Sequence, residues 1–156
     1  MATSKWRKAG YIKPPKKASL PKRIIFYDTE TTVPDRNGDN QDFGLIVGCA
    51  TYIELDNSAE ITRRIEYVFT EKEDFVKFLL ARSSSKSALY VFAHNVGFDV
   101  RVLDLPRQFN DNGIVSEPPI INDMTFIWKV KLPKSTITFL DTANLGVRSV
   151  SSLEVS

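Results

Sequence analysis

The apolar positions of this chain fall into short runs separated by polar, turn-forming stretches. Arg23-Ile24-Ile25-Phe26-Tyr27 is a continuous apolar run, the pattern of a strand buried on both faces, and Ala88-Leu89-Tyr90-Val91-Phe92 is a second such run. Between them, Leu45 to Leu55 and Ile61 to Phe69 are rich in Val, Ile, Tyr and Phe and are joined by Asp56-Asn57-Ser58, which reads as a hairpin turn. The first three segments therefore predict an antiparallel meander, with a loop at Pro34 to Asn40 where turn formers crowd. Thr70 and Glu73 have capping-box spacing ahead of Phe75, Phe78 and Leu79 on one helical face. After a serine-rich link from Ser83 to Ser87, Asn95 is the expected N-cap of a helix carrying Phe98, Val102 and Leu103 and interrupted by Pro106. Met124 to Lys131 alternates apolar and polar positions, Leu132 to Ser135 makes a turn, and Thr136 to Leu140 returns to end at Asp141. Three strands, a helix, a strand, a helix and a hairpin predict an α/β fold with a mixed sheet and packed helices.

Composition narrows the class. The 156 residues suit one domain with a real core, and their 42% hydrophobic and 26% charged fractions are those of a globular protein. No apolar run reaches the ~20 residues of a membrane span, and none follows the basic N-terminus as a signal peptide requires. A lone cysteine, Cys49, excludes an internal disulfide and a thiolate metal cluster; within a strand it is expected as a small buried hydrophobe, and the expected compartment is the cytoplasm.

Charge divides the chain. Residues 1 to 23 hold eight basic side chains and no acid, leaving 13 basic against 19 acidic in the remainder. The expected organisation is a disordered basic arm over 1–22, with Pro14, Pro15 and Pro21, followed by an acidic domain over 23–156. The arm reads equally as a solvated tail and as a phosphate-binding segment that uses residues such as Lys16 and Lys17, with Trp6 and Tyr11 available to stack on unpaired bases.

Three acidic strand ends carry the candidate chemistry. Asp28-Thr29-Glu30 ends the first run, and side chains two apart on a strand point the same way, about 6.6 Å apart at ~3.3 Å per residue. Two carboxylates so arranged suit hard divalent cations, and a pair of such ions ~3.5–4 Å apart is what phosphodiester cleavage uses. Taken singly, the triplet reads first as a solvated strand edge. His94-Asn95-Val96-Gly97-Phe98-Asp99 follows the second run; Asp99 falls in a first helical turn, which favours a carboxylate without further role, yet also where ligands gather in open α/β sheets. His94, the only histidine, reads first as a packing or hydrogen-bonding group at the strand end, and Phe98 first as core. Asp141 closes the last strand and is also a candidate N-cap for a helix at Ala143 to Val147.

Together these segments resemble the DEDD superfamily of 3′→5′ exonucleases. Ile25 to Thr32 is similar to the first exonuclease motif, with its Asp-x-Glu core, and Ala93 to Leu103 to the second, His-Asn-x-x-x-Asp. Both are most similar to the proofreading domain of family B DNA polymerases, above all the protein-primed phage and plasmid branch, and Thr138 to Leu145 resembles the strand end between that family's second and third motifs. The resemblance implies a ribonuclease H-like fold and metal-dependent hydrolysis of 3′-terminal phosphodiesters. It makes Asp28, Glu30 and Asp99 catalytic ligands of two Mg²⁺ or Mn²⁺ ions, with Asp141 an accessory carboxylate. Thr31, Asn95 and Phe98 would meet the single-stranded DNA 3′ end, and a polymerase domain in the same chain is an expected partner. One departure is plain: the family's third motif, Tyr or His followed by Asp, is missing after Asp141, where Glu154 is the only acid. The expectation is a C-terminally incomplete domain. The alternative is a catalytically incomplete ribonuclease H-like module that binds nucleic acid, and an exonuclease acting on RNA stays open as a third.

Overall fold

The structure is a computed structural model that describes residues 20–33, 43–83, 87–122 and 125–142. The basic arm to residue 19, with Lys16 and Lys17, the loop over 34–42 and the expected helix at Ala143 to Val147 lie outside the described residues.

The meander forms as expected: β1 (Arg23–Thr31), β2 (Leu45–Leu55) and β3 (Ile61–Phe69) pair antiparallel in sequence order. α1 (Lys72–Arg82) then crosses back to β4 (Leu89–Ala93), which lies on the other side of β1 and runs parallel to it. α2 (Val96–Val102) and α3 (Leu105–Asp111) follow, then β5 (Ile120–Asn122), β6 (Thr125–Lys131) and β7 (Thr136–Asp141). The result is one seven-stranded mixed sheet in the order β3-β2-β1-β4-β7-β6-β5, with β7 parallel to β4 and β6 antiparallel to β7. No helix among the described residues is long and apolar enough to cross a membrane.

One face of this sheet is the core. Ile25 and Tyr27 of β1, Ala50 and Tyr52 of β2, Val91 of β4 and Ile137 and Phe139 of β7 are buried beneath the helices. Aromatic rings tie the layers together: Tyr27 and Phe69 stand 4.7 and 4.9 Å from Phe75 of α1, and Phe109 of α3 stands 5.6 Å from Trp128. The opposite face corrects the reading of β1 as buried on both sides. Phe26 is 45% exposed, although its ring stacks on Phe92 at 5.6 Å, and among the described residues the helix contacts fall on the other face. Cys49 is a second correction. It pairs with Asp28 on this open face and is exposed rather than buried, because the strand period of two puts it out of phase with Ala50.

Helix starts were the least legible feature. β3 runs to Phe69, so Thr70 is still in the turn; α1 begins two residues later with Glu71 at its N-cap and no side-chain cap bond. Pro106 does not interrupt a long helix. The break falls at Asp104, a non-glycine residue at φ 49°, and Pro106 sits in the first turn of α3, where a missing N–H costs nothing. β5 gave no signal in the sequence, since three residues are too few to show a period.

Gly48 is required by packing. It lies between Thr29 of β1 and Phe69 of β3, and a Cβ there would stand 2.1 Å from Cζ of the buried Phe69 ring. Because Phe69 is itself held against Phe75, Gly48→Ala is expected to destabilise the fold by about 1–3 kcal/mol. Urea unfolding checks this, and Phe69→Leu in the same chain should recover part of the loss.

Candidate active site at the sheet switch point

The parallel strands β1, β4 and β7 lie side by side, so their C-terminal ends share one edge of the sheet. After β1 the chain builds outward on one side through β2 and β3; after α1 it builds outward on the other through β4 and β7. The crevice between β1 and β4 is thus the topological switch point, where open α/β sheets bind ligands beyond the strand ends. Asp28 and Glu30 stand at the end of β1, Asp99 in the first turn of the helix that follows β4, and Asp141 at the end of β7. Four acids from three distant stretches of the chain therefore lie along one edge of the sheet.

They do not all face the same way. Asp28 and Glu30 are exposed, share the open face with Phe26, and have no hydrogen-bond or ion-pair partner among the described residues. Thr29, between them, points to the helix side, where its hydroxyl donates to Oδ1 of Asp99 at 2.5 Å. Asp99 is 2% exposed and Asp141 7%. Asp141 accepts the backbone N–H groups of Asn95 and Val96, at 3.3 and 3.0 Å. It therefore does, from another strand, the capping expected of Asn95. That residue instead adopts φ 57° and makes no side-chain cap bond, because a left-handed residue turns the chain sharply from β4 into α2.

The remaining candidates divide. His94 is exposed, and its Nδ1 lies 3.3 Å from the Thr142 hydroxyl, a hydrogen-bonding place at the strand end as expected. Phe98 is half-buried rather than core, its ring edge-on to Phe43 at 5.1 Å, since Val96, Asp99, Val100 and Val102 take the inner face of α2. Thr31 is half-buried beyond a bulge that shifts the register between Glu30 and Thr31. Two residues entered the site unannounced. Thr29 and Tyr27 are the inward positions of β1, and the signal was the alternation itself, read only at the acids. The Tyr27 hydroxyl is buried and has no hydrogen-bond partner among the described residues.

The electrostatics follow from this burial. Burial raises the Tyr27 phenol well above its usual value, and the charges of Asp99, Asp141 and Asp28 raise it further. Burial also lifts Asp99 to about 6; the Thr29 hydrogen bond opposes this, and the nearby Asp28 charge adds to it. The folded chain therefore holds the Asp99 proton more tightly than the unfolded chain, whose carboxyl titrates near ~3.9. The stability linked to that proton is complete below pH ~4 and is lost as pH rises through about 6. Asp99→Asn is expected to flatten the stability profile between those values and to gain on the wild type toward pH 7. Equal urea-midpoint differences at pH 4 and pH 7 would refute this.

A pair of hard cations needs three or four carboxylates sharing one space. Asp28 and Glu30 fit that demand in part, as unengaged neighbours on one face. Asp99 is turned to Thr29 and Asp141 to two backbone amides, and among the described residues no three His, Cys, Asp or Glu side chains are grouped to hold a metal ion. Compared with protein-family models, with curated proteins and with solved structures, the chain finds no match in any of the three.

Proposed function

We propose that the chain is a ribonuclease H-like 3′→5′ exonuclease domain that acts on the 3′ end of single-stranded DNA. The observation that carries this reading is the position of the two motif-bearing segments. Asp28-Thr29-Glu30 and His94 to Asp99 occupy the two sides of the β1/β4 switch point. In this reading Asp28 and Glu30 hold divalent metal, which supplies charge stabilisation at the scissile phosphate. Thr29 orients Asp99 through its hydroxyl, and Asp141 fixes the first turn of α2, so that His94 and Asn95 border the crevice. The family resemblance extends the proposal to the proofreading part of a family B DNA polymerase working in the cytoplasm with two Mg²⁺ or Mn²⁺ ions.

A second reading, a nucleic-acid-binding module without catalysis, is favoured by one specific observation: the carboxylates of Asp99 and Asp141 are engaged inside the fold. A 5′-labelled single strand incubated with the chain in Mg²⁺, Mn²⁺ or EDTA separates the two. Metal-dependent shortening from the 3′ end is the expected result. Binding by fluorescence anisotropy without shortening in either metal would decide for the module.

A further inference from the structure

At the edge of the sheet opposite the acids, a groove of about 720 Å³ lies between the ends of α1 and α3 and the turn joining β6 to β7. Its volume falls within the ~300–1,000 Å³ of small-molecule sites. Leu80, Ile114, Val115 and Leu132 give it apolar walls, and Lys131 and Lys134 stand on the turn side. Val115, one of these apolar residues, is 83% exposed.

The polar groups of this groove are unevenly available. Ser83 donates its hydroxyl to the Leu80 carbonyl and Ser135 donates to the Ser83 carbonyl, so both hydroxyl protons are used. Lys131 faces Glu117 at 3.2 Å, but those side chains are 73% and 80% exposed, and so open a pair exchanges readily with another anion. Lys134 has no ion-pair partner among the described residues. Both helices end at this groove, and their carbonyl ends carry partial negative charge. An anion is therefore repelled from the helix side and drawn to the lysine side, while an apolar body fits between.

We propose that this groove binds a small amphiphile: an apolar body carrying a single anionic head, with the head at Lys131 and Lys134 and the body against Leu80, Ile114, Val115 and Leu132. The site is separate from the acidic edge and stands whether or not the chain cleaves DNA. Titration of the full chain with 8-anilinonaphthalene-1-sulfonate, an apolar sulfonate whose fluorescence rises on leaving water, tests it. The expected result is saturable one-to-one binding, weakened about tenfold or more by Lys134→Glu and by Val115→Glu, a loss of at least ~1.4 kcal/mol. Both positions are exposed, and unchanged circular dichroism checks that each variant folds. Arg63→Glu, exposed on β3 and four strands away from β7 in the sheet, should change binding less than about twofold, since it lies well beyond the ~8–10 Å over which exposed charges act. Displacement of the probe by dodecanoate alone identifies a long-chain carboxylate, and by deoxyadenosine monophosphate alone a phosphate monoester. Absence of saturable binding, an equal effect of Arg63→Glu, or displacement by neither competitor would overturn the proposal.

Discussion

Asp28→Ala and Glu30→Ala are each expected to lower metal-dependent trimming of single-stranded DNA by about 10³-fold or more, while the folded chain loses less than about 0.5 kcal/mol. The two halves of that expectation have separate grounds. Both side chains are exposed at the end of β1 and hold nothing in place among the described residues, so their removal exposes no cavity and strands no buried group. A thousandfold loss corresponds to about 4 kcal/mol of transition-state stabilisation, which matches the several kcal/mol a metal centre gives to developing phosphate charge. The dissociation is the informative result. Asp141→Ala should instead reduce stability and trimming together, because it leaves the Asn95 and Val96 N–H groups without their acceptor. If Asp28→Ala trims as fast as the wild type, the exonuclease proposal is wrong. Loss of folding in that variant would instead make the acid pair structural.

The largest loss of stability is expected from Trp128→Ala, about 3–5 kcal/mol by denaturant or thermal unfolding. Trp128 is 1% exposed, stacks on Phe139 at 5.0 Å and meets the edge of Phe109 at 5.6 Å, so three elements close on one ring. Its indole N–H also donates to the Glu117 carbonyl at 2.8 Å, pinning the segment that leads into β5. Truncation leaves a large cavity and an acceptor without its donor. Set against a total stability of roughly 5–15 kcal/mol, this takes a large share and lowers the melting midpoint by roughly 6–20 °C. Ile121→Ala, 67% exposed on β5, is the matched control and should cost little. A loss below about 1 kcal/mol at Trp128 would mean that this part of the core repacks freely.

Strand existence was legible because alternation reports which positions a sheet buries. Leu45–Leu55 and Ile61–Phe69 have the bounds that their composition predicts, and Phe126, Trp128 and Val130 are the buried set of β6. Helix caps were not legible. Capping box and N-cap rules assume that the acceptor comes from the adjoining chain, whereas α2 takes its acceptor from Asp141, about 45 residues away in sequence.

The sequence by itself determined that acids would end β1 and β7, that a third would fall in the first turn of the helix after β4, and that Asp28 and Glu30 would share a side, since a strand turns every second residue the same way. It could not determine which side, nor that Asp99 would join Thr29 on the opposite one. That was decided when β4 inserted beside β1 and α2 docked over the inner face, bringing residues 70 positions apart into one hydrogen bond. Local pattern encodes direction along an element; the partner across a sheet depends on how the elements are ordered, and that order is settled only by joint burial of their apolar faces.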